Sequence, residues 1–274
     1  MVTIERHHTL LEKLGLSTLS GVKSFQGEMI EQAAGRRDVQ RIKTTDESGG
    51  ELVMYLKRQW RSDRKQALLS LLKRGRLWSV ARVEWENART LQAAGFHTAA
   101  RVACGDEISL LGERFSFLLT EAAAGPVTLD QFIRVCDDPA RRRKVFDKLA
   151  QQLRQLHQRG LSMPDLFARH IFFAPEAEPV EFCFIDVARL ERSRGFSIKQ
   201  RARALAALNV TAPLRFVSAR ERVRFLRVYA GDEELRRLVA GIACRTTRML
   251  KRKRYHDFLK PAAAPNCPQS GSRS

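Results

Sequence analysis

Three polar residues could do chemistry together in the stretch LHQRGLSMPDLFARHIFFAPEAEPVEFCFIDVARL (156–190): Asp165, His170 and Asp186. The stretch reads as a helix end, a turn presenting Asp165, a short apolar strand, a hairpin, and a second apolar strand ending in Asp186. Two strands that each deliver a polar residue to the same edge are a common way to build a phosphoryl-transfer site. Such a site needs positioning and charge neutralisation more than covalent help.

The spacing resembles the protein-kinase pattern H-R-D-x-x-x-x-N. There the Asp handles the acceptor hydroxyl's proton and the Asn binds a metal five residues on. Here His170 stands five residues after Asp165, and Asp186 closes the next strand where the D of D-F-G would fall. On this comparison the chain reads as a kinase-like phosphotransferase.

The elements that must position these residues run through the whole chain. Residues 1–21 read as a short helical preface ending at Gly21. Three strand-like runs follow, VKSFQGEMI, RRDVQRIKTT and ELVMYLKRQ, with Gly27 to Gly35 as a glycine-containing first turn over the nucleotide phosphates. That roof lacks a G-x-G-x-x-G, and an ordinary β-meander accounts for the pattern equally well. Lys57 ends the third apolar run, where an ammonium can grip the α- and β-phosphates or serve as an edge charge.

Residues 61–78 are basic and helical in pattern. The next helix, VEWENARTLQAAGF (83–96), carries Trp85, Ala88, Leu91 and Gln92 on one stripe and stops at Gly95. Glu84 lies one face from that stripe and can turn toward Lys57, with Glu86 as the rival partner. Residues 101–125 read as two strands joined at Gly112 and a linker. Thr120–Gly125, including Glu121, is the candidate hinge meeting an adenine edge. Helices are expected at 139–159, with His157 as a packed or capping residue, at 197–209, at 217–231 with a Ser218/Glu221 capping box, and at 233–250. The tail 261–274, rich in Pro and Ser, reads as disordered.

Composition narrows the partners. Lys and Arg number 49 against 30 Asp and Glu, a net charge of +19, which implies a polyanionic partner. Five cysteines without C-x-x-C spacing argue against a zinc site or a disulfide framework and fit a reducing compartment. The first residues lack a signal-peptide core, and no apolar run approaches the ~18–20 residues that span a bilayer. Few aromatics interleave with the basic residues, so a nucleic-acid-binding module is disfavoured. A cationic acceptor such as an aminoglycoside would be repelled.

Taken in order, Lys57, E-W at 84–85, L-x-x-A-G at 91–95, the 156–173 run, F-I-D-V-A-R at 184–189 and F-V-S-A-R-E-R-V-R-F-L-R-V-Y at 216–229 resemble one family. It is the bacterial lipopolysaccharide core kinases, the Kdo/heptose kinases, over roughly residues 20–235. The resemblance implies an α+β, bilobal protein-kinase-like fold with a small antiparallel-sheet N-lobe (1–120), a mainly helical C-lobe (121–260) and a tail (261–274). It implies ATP and Mg²⁺ as cofactors, with Lys57 on the phosphates, Glu84 paired to it, Asp165 as catalytic base, and His170 and Asp186 as metal ligands. The implied acceptor is a sugar hydroxyl of the lipid A–inner core at the cytoplasmic face of the inner membrane. Arg245–Arg254 would touch the anionic surface, and Arg189, Arg192 and Arg194 would meet an acidic acceptor.

The chain departs from the kinase pattern in having Met163-Pro164 before Asp165 and Val187-Ala188 after Asp186. Without the usual Arg, docking of a phosphorylated activation loop is not expected. A protein kinase and an inactive kinase-like scaffold are the remaining alternatives.

Overall fold

Strand alternation decides which side of the sheet Lys57 faces. The structure, a computed structural model, describes residues 1–4, 7–33, 36–46, 49–61, 78–109 and 112–252. Gly35, nearly all of the basic run 61–78 and the tail 261–274 lie outside the described residues. The first part of the chain contains β1 (Val2–Thr3), α1 (His8–Lys13), α2 (Leu19–Ser24), β2 (Glu28–Ala33), β3 (Arg37–Thr45), β4 (Glu51–Trp60), α3 (Val80–Ala93), β5 (His97–Thr98), β6 (Arg101–Ser109) and β7 (Gly112–Glu121). Six strands form one antiparallel sheet in the order β1-β6-β7-β4-β3-β2.

In β4 the buried residues Met54, Leu56 and Arg58 alternate with Tyr55 and Lys57. Met54 and Leu56 pack with Leu11, Leu16 and Val22 of the N-terminal helical segment. The period of two therefore sends Lys57 to the opposite face, toward α3.

The first expected strand run is corrected by the structure. Val22 to Ser24 end a helix whose N-cap, Thr18, accepts from the Gly21 N–H, and only from Glu28 is the chain a strand. The buried Arg58 explains this. Its Nη1 donates to the carbonyls of Val22, Lys23 and Phe25 at 3.0, 3.0 and 2.9 Å, while its Nε donates to Asp38 at 2.8 Å. These bonds satisfy the helix's orphan carbonyls and seat it on the sheet, so a tertiary contact overrides the local alternation. Gly27 is therefore not part of the hairpin turn between β2 and β3. It opens β2, where its N–H donates to Gln40 Oε1 at 2.8 Å and an added Cβ would lie 2.9 Å from the Arg41 carbonyl.

The rest of the chain contains β8 (Val127–Thr128), α4 (Leu129–Val135), α5 (Pro139–Gln158), β9 (Leu161–Ser162), β10 (Ile171–Phe173), β11 (Phe182–Phe184), β12 (Glu191–Arg192), α6 (Ile198–Val210), α7 (Ala219–Ala230) and α8 (Asp232–Leu250). A small sheet runs β5-β11-β10-β8, and β9 pairs with β12. α5 starts at the Asp138 cap with Pro139 in its first turn, and it buries the expected stripe of Val145, Leu149, Leu153 and Leu156. The Ser218/Glu221 capping box is present at α7. The buried Arg142 of α5 ties three elements together. It donates to Glu221 Oε1 at 2.7 Å, to the Ile133 and Cys136 carbonyls at 3.1 Å, and to the Phe216 carbonyl at 2.6 Å.

Gly125 is a position that needs glycine. Its φ is +108°, and a Cβ there would meet the Phe173 backbone at about 2.5 Å. The linker after β7 is thereby pressed against β10, close to the residues that matter below.

Candidate active site

The Lys57 Nζ donates to Glu84 Oε1 at 2.6 Å, and both side chains are largely buried. Glu86, the rival, pairs instead with Arg82 and Arg89 on its own helix. Asn87 lies three residues beyond Glu84 and is fully buried, so one helix face carries both polar residues. Its Nδ2 donates to the Val187 carbonyl at 2.9 Å and the Ala188 carbonyl at 3.0 Å. α3 therefore grips the lysine with one side chain and the backbone after Asp186 with another. Parallel pairing of β5 with β11 fixes the end of α3 to the same hairpin.

The β10–β11 hairpin explains why His170 and Asp186 meet. Ile171 sits opposite Phe184, and the ladder extends by one bond, from the Ile185 N–H to the His170 carbonyl at 3.0 Å. One residue further on, Asp186 takes φ +54°, a left-handed conformation for a residue with a side chain. That conformation costs about 1 kcal/mol or more and is typical of functional positions. Asp186 Oδ2 then lies 3.8 Å from His170 Nε2. Asp165 shares a small cavity with His170 and Asp186, and Arg189 Nη1 donates to both of its carboxylate oxygens, at 3.0 and 3.1 Å.

Between sheet and hairpin is a cavity of 470 Å³, lined by Tyr55, Lys57, Glu84, Glu121, His170 and Asp186 among others. That lies within the roughly 300–1,000 Å³ typical of small-molecule sites. Glu121 reaches it at the end of β7, with its carboxylate 3.2 Å from His7 Nε2 and its N–H donating to the Ala100 carbonyl. Gly27 is not among the lining residues. Arg37 and Arg169 do line the cavity, and the sequence reading missed both, along with Asn87. Nothing in their local pattern separates them from the chain's many surface arginines. Asn87 did carry a signal, as a polar residue one helical turn past Glu84.

The electrostatics favour a charged lysine and a charged aspartate. Burial pulls the Lys57 ammonium toward neutrality, but the Glu84 and Asp186 carboxylates more than offset it, and its pKa is raised. Burial likewise opposes ionisation of Asp186, yet Lys57, His170, Arg37 and Arg169 hold it below the usual carboxylate range. Burial depresses the His170 pKa, the main effect, so the ring is neutral. Nδ1 lies 3.4 Å from the Asp165 carbonyl and Nε2 3.1 Å from the Arg169 Nε–H donor. This bonding assigns the proton to Nδ1 and makes Nε2 the acceptor of the Arg169 N–H, so a cation reaching Nε2 would take the place of Arg169.

A neutral imidazole oriented through its other nitrogen, beside an ionised carboxylate, is a pair able to hold a cation. Among the described residues no cluster of three or more metal-ligating side chains exists. A divalent ion here would take its remaining ligands from phosphate oxygens and water, as Mg²⁺ commonly does.

His157 supports the strand leading into Asp165. Its Nδ1 meets Tyr229 Oη at 2.7 Å and its Nε2 meets Ser162 Oγ at 3.3 Å, with all three residues buried. Burial, aided by Arg201, lowers its pKa from 6.5 to about 4. The unfolded chain then binds more protons than the folded one between those values, so stability falls as pH drops through that window. The shift corresponds to about 3 kcal/mol. Denaturant unfolding at pH 7 and pH 4.5 should show wild type losing more stability than His157→Gln, by a large part of that amount. Equal losses would refute it.

The sequence model described as the lipopolysaccharide kinase (Kdo/WaaP) family matches residues 20–229. A curated relative, the lipopolysaccharide core heptose(I) kinase WaaP of Pseudomonas aeruginosa, is 26% identical over 262 residues, covering 89% of this chain and 95% of that protein. A solved structure of WaaP in complex with acyl carrier protein superposes with a TM-score of 0.67 at 23% identity, covering 94% of this chain and 99% of that one.

Proposed function

The chain belongs to the lipopolysaccharide kinase (Kdo/WaaP) family, a kinase of lipopolysaccharide core biosynthesis, and from that premise we propose that it phosphorylates a Kdo or heptose hydroxyl of the lipid A–inner core with ATP. The observation that carries this reading is the Lys57–Glu84 pair at 2.6 Å facing Asp186 and His170 across one cleft.

In the proposed reaction, nucleotide phosphates lie against Lys57, with Arg37 and Arg169 adding positive charge where the roof has no glycine-rich loop. The adenine edge meets the linker that starts at Glu121, where the small and large lobes divide. Asp165 orients the acceptor hydroxyl and takes its proton late. The acceptor oxygen bonds to the γ-phosphorus as the bond from phosphorus to the β,γ-bridging oxygen breaks and ADP leaves. Asp186 and His170 would hold Mg²⁺, which supplies charge neutralisation on the phosphates.

The acceptor is membrane-bound in this reading, and the basic excess supports work at the cytoplasmic face of the inner membrane as a peripheral protein. No helix among the described residues is long and apolar enough to cross a membrane. Arg245 and Arg248 on α8, with Lys251 and Arg252 just after it, are the described basic residues of the segment expected to touch that surface. Co-sedimentation with anionic vesicles should weaken steeply as salt is raised; binding that ignores salt would contradict the electrostatic contact.

The test of the function is incubation of the protein with Mg·ATP and lipid A–inner core acceptors, read by tandem mass spectrometry. One added phosphoryl group on a Kdo or heptose is the expected product. Binding of ATP with no transfer to any such acceptor would contradict it.

A further inference from the structure

Arg189 occupies the oxygens it would have to leave free. Its Nη1 spans both oxygens of Asp165 at 3.0 and 3.1 Å, while its side chain stays 63% exposed. A carboxylate bonded this way has one lone pair on each oxygen taken up by the guanidinium, so an acceptor hydroxyl approaching either oxygen must compete with Arg189. Opening is easy, because an ion pair this exposed is weakly held.

The backbone does not move with it. Asn87 pins the Val187 and Ala188 carbonyls, and the Leu190 N–H closes a turn onto the Val187 carbonyl at 3.1 Å. Leu190 is itself buried. What remains mobile is a long side chain on a fixed Cα. Among the described residues its Nε and Nη2 have no acceptor, so one edge of the guanidinium fork is open. That edge matches the two oxygens of a carboxylate or phosphate. An oxyanion is also the ligand best able to draw a guanidinium away from Asp165; a neutral alcohol or water offers nothing comparable.

We propose that Arg189 is the acceptor's anion subsite: a carboxylate or phosphate on the acceptor takes the guanidinium from Asp165, so that docking the sugar and freeing the base are one exchange. The inference rests on the kinase reading above and adds to it a requirement for an acidic acceptor.

The test compares wild type, Arg189→Gln and Arg189→Lys on three acceptors: intact lipid A–inner core, the same with its sugar carboxylates methyl-esterified, and the same with its phosphates removed. Wild type should lose about tenfold or more in kcat/KM on one of the two modified acceptors, which identifies the anion. Arg189→Gln should lose a similar factor on the intact acceptor, mainly through KM, and become indifferent to that modification. Arg189→Lys, with charge but no fork, should fall between. If Arg189→Gln lowers all three rates in proportion and keeps the wild-type preference, or if wild type treats the three acceptors alike, the subsite is refuted while the kinase reading stands. Wild type that binds ATP and phosphorylates none of them would instead overturn that reading.

Discussion

Asp165→Asn should lower kcat by about a thousandfold, within the range of roughly 10²–10⁴ for loss of a positioned general base. Affinity for Mg·ATP should change little, because Asp165 belongs to the small acceptor-side cavity with Arg189 and is not among the residues lining the nucleotide cleft. The fold should also survive. The strand entering Asp165 is held by Ser162 on His157, and the turn leaving it is held by the Ala168 N–H on Thr211 Oγ1 at 2.9 Å. Neither bond involves the Asp165 carboxylate. Steady-state rates and nucleotide titrations on the same preparation separate the two effects. A variant retaining wild-type turnover would remove Asp165 from the chemistry, and one that lost ATP affinity instead would move it to the nucleotide.

Lys57→Met should be equally damaging to activity and, unlike Asp165→Asn, should also destabilise the protein. Removing one partner of a buried ion pair strands the other, at a cost of about 3–5 kcal/mol. Here two carboxylates lose their cation, since Lys57 bonds Glu84 and is among the charges that hold Asp186 ionised. The double variant Lys57→Met/Glu84→Leu replaces the pair with apolar side chains of similar size. It should recover most of the stability, because such replacements are often neutral or better. It should recover none of the activity. Denaturant melts and turnover of the two variants decide this. If activity returns with stability, the pair is scaffolding and nothing more.

How far the site could be read from the sequence depended on whether a residue's role was local. Lys57 was legible as the lysine ending an apolar run ahead of a helix that carries a glutamate, and Glu84 because helical spacing turns it from the Trp85 stripe. The β10–β11 hairpin was legible as two apolar runs around a turn, and its register brings His170 to Asp186. The helices α5, α6 and α7 fall within a residue or two of their expected ends, because caps at Asp138, Ser197 and Ser218 are local signals.

The misreading at 22–27 has a non-local cause. Nothing in VKSFQG announces that Arg58, more than thirty residues on, will collect three of its carbonyls. Gly27 was assigned to the phosphate roof on residue type alone, and glycine there serves close packing against the Arg41 carbonyl. Arg37, Arg169 and the capping of Asp165 by Arg189 were beyond local pattern for a plainer reason. In a chain with 49 basic residues, only the folded arrangement says which few face the cleft.

That arrangement is open to a direct measurement: treatment with an acyl-phosphate analogue of ATP, whose reactive carbonyl lies at the end of the phosphate chain, followed by peptide mass spectrometry. The account predicts acylation of Lys57, suppressed by excess ATP. Labelling scattered over exposed lysines, unaffected by ATP and sparing Lys57, would contradict it.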